Sequence, residues 1–163
     1  MDTNTIDISP APLIATESSV TFDQLGLRPQ VLDAVRDAGY TEPTPIQREA
    51  IPLALSGRDM IGLAHTGTGK TAAFTLPIVD RLIAGPKRTR VLVLTPTREL
   101  AAQVDDSFRK YSRHSGIDVV AVFGGVPIEP QERALRAGVD VVVATPGRLI
   151  DHMERQNVVF DDL

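Results

Sequence analysis

Apolar residues along this chain fall into two alternating patterns, and the alternation predicts an architecture. Arg90 to Thr95 (RVLVLT), Asp118 to Phe123 (DVVAVF) and Asp140 to Thr145 (DVVVAT) hold unbroken runs of Val, Leu and Ala. Runs of this kind read as strands buried on both faces, which is the signature of a parallel sheet covered by helices on each side. Met60 to Ala64 reads as a further strand, the first in the chain. Helical spacing of apolar residues follows each strand. It predicts helices over Lys70 to Ala84 with a kink at Pro77, Thr97 to His114 closed near Gly116, Ile128 to Ala137, and Pro146 to Arg155. Two helices come earlier. Pro29 to Ala38 carries Val31, Leu32, Val35 and Ala38 on one face and ends at Gly39. Thr44 reads as an N-cap with Pro45 at the first helical position, opening a helix toward Ser56-Gly57 with a break expected near Pro52. Met1 to Val20 has no apolar period, two prolines and scattered Ser and Thr, so residues 1–20 read as a disordered leader to a domain at 21–163.

Composition narrows the chemistry. A length of 163 residues allows one domain with a sizeable core. The absence of Cys excludes disulfides, thiolate metal sites and thiol nucleophiles. With a net charge of -4, a polyanion has to be held by local sites and not by a global basic field. No apolar run is long enough to span a membrane, and the first residues lack the basic start of a secretory signal. A cytoplasmic location away from membranes is expected.

Ala64-His65-Thr66-Gly67-Thr68-Gly69-Lys70-Thr71 lies between the first predicted strand and its helix. It matches the phosphate-loop pattern G-x-x-x-x-G-K-[ST], with Ala64 where the pattern has its first Gly. Gly67 and Gly69 let successive N–H groups turn inward toward a phosphate, and the helix starting at Lys70 adds its positive end. Lys70 would reach the β- and γ-phosphates, and the Thr71 hydroxyl would hold Mg²⁺. The bland alternative is a Gly-rich turn before a helix. His65 falls in the variable stretch and has no catalytic role in this reading.

Three further segments stand at strand-to-helix turns: Pro96-Thr97-Arg98-Glu99, Gly124-Gly125, and Thr145-Pro146-Gly147-Arg148. Taken singly, each reads as a plain turn with Thr97 or Thr145 as an N-cap. Taken together, they put hydroxyls, helix N–H groups and two arginines at the carboxyl ends of parallel strands, where ligands bind in such sheets. Gln47 is ambiguous on its own residues. Thr44-x-x-Gln47 is a capping box by spacing, yet its amide could also pair with the N6 and N7 edge of adenine. His114 and His152 read as solvated histidines on helices, and Asp105-Asp106 and Asp161-Asp162 as exposed faces.

In order and spacing, Phe22, Gly39 to Gln47 (GYTEPTPIQ), the phosphate loop, Pro96 to Gln103 (PTRELAAQ), Gly124-Gly125 and Thr145 to Arg148 (TPGR) resemble the DEAD-box ATP-dependent RNA helicases. They match that family's Q motif, motif I, motif Ia, GG element and motif Ib. The resemblance covers Phe22 to Arg148 and implies an α/β fold, a RecA-like parallel sheet flanked by helices. It implies ATP and Mg²⁺ as cofactors. It assigns adenine recognition to Gln47, bordered by Phe22 and Tyr40, and RNA backbone contact to Pro96, Thr97, Arg98, Glu99, Gly124, Gly125, Thr145, Pro146, Gly147 and Arg148. Contacts to sugar and phosphate would not read base sequence. The family's Asp-Glu-Ala-Asp motif would follow Leu163, so the chain is expected to be the opening part of a helicase that also needs a second RecA-like domain. The alternative is a non-catalytic nucleotide- or RNA-binding fragment.

Overall fold

The computed structural model describes residues 20–163. The leader expected at residues 1–20 lies almost wholly outside the described residues. A short 3-10 turn, Phe22–Leu25, is followed by helices α1 (Pro29–Asp37), α2 (Pro45–Leu55) and α3 (Lys70–Ile83). Strand and helix then alternate: β1 (Val91–Leu94), α4 (Arg98–Ser112), β2 (Val119–Val122), α5 (Glu129–Ala137), β3 (Val141–Ala144) and α6 (Pro146–Glu154).

The sheet holds three strands in the order β1-β3-β2. Both pairings are parallel, with Leu94 and Val122 each level with Ala144. Alternation along the strands divides the core. Val91, Val93, Val119, Val141 and Val143 face the side covered by α1 to α4, where Val35, Ile51, Leu76 and Phe108 are buried. Leu92, Val120, Val122, Val142 and Ala144 face α5 and α6 through Leu135 and Leu149. The middle strand is buried at every position, as its unbroken Val-Val-Val-Ala requires. The predicted parallel sheet with helices on both faces is therefore observed.

One predicted strand is not. Met60 to Ala64 precedes the phosphate loop as extended chain outside the sheet, with Ile61 91% and Leu63 89% exposed. Apolar composition alone does not make a strand; a ladder partner must stand alongside. Beside this segment, α2, α3 and β1 bound a mainly apolar cavity of about 450 Å³ lined by Ile46, Met60, Phe74, Val93 and Leu94.

The break expected at Pro52 does not occur, and α2 runs through it. Gly69, in the left-handed region at φ 84°, leads directly into α3. Asp80 of α3 is buried and fixes the turn before α1, accepting from the Arg28 backbone N–H at 2.6 Å. Asp105 is also buried, against the expectation of an exposed face, because it pairs with Arg109 one turn on at 2.6 Å. Asp106, Asp161 and Asp162 are exposed as expected. His152 is wholly buried, contrary to the solvated reading, while His114 stays exposed and pairs with Asp37.

Candidate functional site

The phosphate loop is shaped by two glycines. Gly67 and Gly69 lie at φ 81° and 84°, a region that side-chain-bearing residues rarely enter. At Gly69 a second constraint applies, because a Cβ there would collide with the Gln47 amide nitrogen. The loop also closes on itself. Lys70 Nζ, at the first position of α3, donates to the Ala64 carbonyl, and Thr68 Oγ1 donates to the His65 carbonyl at 2.7 Å. His65, Thr66 and Gly67 are exposed at the loop's tip. Thr71 follows Lys70 in the first turn of α3, and its carbonyl accepts from Thr75 Oγ1 at 2.7 Å.

Gln47 joins α2 to this loop. Its side chain is 4% exposed. The Oε1 atom accepts from the Thr44 backbone N–H at 3.0 Å, which is the glutamine half of the capping box. The Nε2 atom donates to the Gly69 carbonyl at 3.1 Å. Thr44 Oγ1 is buried beside Gly69 with no hydrogen-bond partner. The capping role inferred from spacing is thus present, together with a bond to the loop that spacing did not indicate. A primary amide has two donors and two lone pairs. One N–H and one lone pair of Gln47 remain uncommitted among these contacts.

Phe22 and Tyr40 form an aromatic pair with ring centroids 6.4 Å apart. Phe22 is buried and Tyr40 is exposed. Two residues that sequence reasoning passed over support Tyr40 from α4. Tyr111 donates its hydroxyl to the Tyr40 hydroxyl at 3.3 Å, and Lys110 Nζ lies 4.8 Å from the centre of the Tyr40 ring. Burial and the Tyr40 hydroxyl push the Tyr111 phenol well above its ordinary value. The aromatic positions were visible in the sequence, but nothing in the spacing linked them across 71 residues.

The other predicted residues come together at the carboxyl edge of the sheet, where Leu94 and Thr95 line the same cavity as Lys70 and Thr71. In a parallel sheet all carboxyl ends share one edge, so Pro96 to Glu99, Gly124-Gly125 and Thr145 to Arg148 emerge side by side. The turn after β3 lies between the other two, following the strand order. Thr97 caps α4 with its side chain, accepting from the Leu100 N–H at 3.2 Å, whereas Thr145 makes no side-chain cap bond to α6. Arg98 is about half exposed and folds over Gly125, where a Cβ would overlap its guanidinium. Arg148 is largely covered. It donates to the Val126 carbonyl at 3.1 Å and stands 3.5 Å from Asp151. Pro96, Glu99, Pro146 and Gly147 are exposed, and Gly124 is half-buried.

For a divalent cation the residues offer the Thr71 hydroxyl, and among the described residues no group of three His, Asp or Glu side chains could hold a metal. That donor set suits Mg²⁺ only as a companion of nucleotide phosphates, which is how this ion is ordinarily bound. Among the described residues no helix is long and apolar enough to cross a membrane.

A phosphate loop leading into a helix, beside a parallel sheet with three strand-to-helix turns along one edge, defines an α/β protein of the phosphate-loop class. The DEAD/DEAH box helicase family model matches residues 44–163. The chain belongs to that family. It is 51% identical over 140 residues to the ATP-dependent RNA helicase DeaD of Escherichia coli strain K12, and 49% identical to DeaD of Klebsiella pneumoniae. Each alignment covers 85% of this chain and 22% of the relative, so the chain spans about a fifth of the length of these proteins. Among solved structures, it matches the RNA helicase Prp28 of Chaetomium thermophilum bound to ADP with a TM-score of 0.80 and 46% identity. That match covers 87% of this chain and 36% of the other.

Proposed function

We propose that this chain is the ATP- and RNA-binding portion of an ATP-dependent RNA helicase that locally separates RNA duplexes. In this reading residues 21–163 belong to its first RecA-like domain. The observation that carries the proposal is the alignment of three polar turns along the carboxyl edge of a sheet whose chain also bears a phosphate loop. Ala64 to Gly69 would wrap the phosphates with backbone N–H groups, and Lys70 would exchange the Ala64 carbonyl for the β- and γ-phosphates. Thr71 would hold Mg²⁺, which when bound neutralises charge on the phosphates. The free N–H and lone pair of Gln47 suit the N6 and N7 edge of adenine, with Phe22 and Tyr40 beside the base. Arg98, Arg148 and the turns around them would hold an RNA backbone without reading its sequence. Duplex separation would need the second RecA-like domain as partner, and the working location would be the cytoplasm.

The test is paired titration of the chain with a fluorescent ATP analogue and a labelled oligoribonucleotide. Lys70→Ala is expected to weaken nucleotide binding at least about tenfold, since a charge-assisted contact contributes roughly 1.5–3 kcal/mol. RNA affinity without nucleotide should stay unchanged. Equal nucleotide affinity in the two proteins would overturn the phosphate-loop assignment.

A further inference from the structure

Beneath the turns on the sheet edge lies a buried row of polar side chains that the proposed function does not use. His152 of α6 is 0% exposed, Asn157 4% and Gln131 of α5 7%. Asn157 follows Gln156, the one non-glycine residue at positive φ (56°) among those described, so backbone strain helps to present it. The His152 Nδ1 atom lies 3.1 Å from Asn157 Nδ2, and His152 Nε2 lies 3.4 Å from Gln131 Oε1.

The direction of every bond in this row is forced from its two ends. Arg136 has only donors, and its Nε and a terminal nitrogen point at one Asn157 atom at 3.1 and 3.0 Å. That atom must be the Asn157 oxygen, so Asn157 Nδ2 faces the imidazole as a donor. His152 Nδ1 must then accept, and Nε2–H must donate to Gln131 Oε1. At the far end, Gln131 Nε2 donates to the Phe123 carbonyl at 3.1 Å and the Pro127 carbonyl at 3.4 Å. Carbonyls only accept, so the Gln131 orientation is fixed independently and agrees. Phe123 and Pro127 bracket the Gly124-Gly125 turn, and Arg148 holds Val126 within it.

We propose that His152 is a positioning residue for the proposed RNA-binding edge: its neutral Nε2–H tautomer, set by Asn157, orients Gln131 to clamp the Gly124-Gly125 turn against α6. The proposal rests on the RNA-binding reading for its consequence, but the clamp itself is a feature of the fold. Protonating His152 would set an Nδ1–H against the Asn157 amide hydrogens and break the row. Burial is the main influence holding the imidazole below its ordinary value, reinforced by Arg148 and Arg155 and opposed by Glu132 and Asp151. On α5, Glu132 is itself paired with Arg136 at 2.7 Å, and β2 and β3 carry no charged residue. The ordinary imidazole value is about 6.5. With the folded value depressed, the clamp is complete above that pH and is lost as pH falls through the folded value.

The test compares the unmodified chain with His152→Gln and His152→Leu. A labelled oligouridylate is titrated between pH 7.5 and 5, and the backbone amide chemical shifts of residues 123–126 are followed in parallel. In the unmodified chain, acid should weaken RNA binding on the order of fivefold and shift the Gly124 to Val126 resonances with the same midpoint. His152→Gln can still accept from Asn157 and donate to Gln131 but cannot titrate. It should bind like the unmodified chain at pH 7.5 and lack the acid step. His152→Leu should show displaced Gly124 to Val126 resonances and bind weakly at every pH. An acid step that persists in His152→Gln, or Gly124 to Val126 resonances in His152→Leu that match the unmodified chain at pH 7.5, would overturn the proposal. If the unmodified chain binds no RNA at any pH, the RNA reading falls, while the chemical-shift comparison still decides whether the clamp exists.

Discussion

Removing the Gln47 amide should affect stability and nucleotide choice separately, and the structure gives the size of the first effect. Gln47→Ala deletes the bond from the Thr44 N–H and the bond to the Gly69 carbonyl. Each contributes about 0.5–1.5 kcal/mol net, and both leave partners in a partly buried site, so the loss should be about 2 kcal/mol. For a domain of this size that lowers the melting temperature by about 4–8 °C. Gln47→Glu divides the two bonds. A glutamate still accepts from the Thr44 N–H, as capping boxes allow, but sets a carboxylate oxygen against the Gly69 carbonyl. Its melting temperature should also fall, and the loss should come from the loop and not from the cap. Equilibrium melting is paired with competitive binding of ATP and GTP. If the remaining N–H and lone pair recognise adenine, both variants should bring the ATP-to-GTP affinity ratio close to one. Unchanged melting in both variants would refute the structural reasoning, and an unchanged ratio in both would refute the adenine role.

Gly69→Ala should destabilise the chain and weaken nucleotide binding, and adding Gln47→Ala should recover part of the stability by removing the collision while leaving the φ penalty of roughly 1 kcal/mol; melting of the single and double variants checks this. Ile61→Lys and Leu63→Lys should leave the melting temperature unchanged and reduce light scattering at high concentration, because both side chains are almost fully exposed beside an apolar cavity. A large fall in melting temperature would show that the segment is paired after all. Arg98→Ala and Arg148→Ala should each weaken oligoribonucleotide binding for all sequences and flatten its logarithmic salt dependence by roughly 0.7. Only Arg148→Ala should also lower the melting temperature, since Arg148 is mostly covered and holds Val126.

The strands and helices that the sequence disclosed are those whose signal is local. Val141 to Ala144 is apolar throughout because it is buried on both faces between two neighbours, and that cause acts at each residue. Met60 to Ala64 has comparable apolarity, but a strand exists only with a partner, and no local pattern reports one. Asp105 shows the same limit on a smaller scale. Its charge suggested exposure, while its place beside Ala101, Val104 and Phe108 on the buried stripe of α4 suggested the opposite. Arg109 one turn later was the available clue, because a paired carboxylate can be buried where a single one cannot.

The candidate site divides along the same line. Glycines of the phosphate loop announce themselves because positive φ restricts residue type at the position itself. The turns at the sheet edge could be placed because parallel strands deliver their carboxyl ends to one side, so three local motifs imply one surface. Gln47, Tyr111 and His152 carry their roles through partners distant in sequence. Gln47 reaches Gly69 across 22 residues, and His152 reaches Gln131 across 21. A histidine at helical spacing from Leu149 could have been read as facing the core. Burial alone would then have required two polar partners for its ring, since a buried imidazole left unpaired is costly. The sequence contains those partners, but choosing Gln131 and Asn157 among its polar residues takes the packing of α5 against the end of α6. Motif residues can therefore be found by type and order, whereas the residues that hold them in place are found only by following each buried polar atom to its partner.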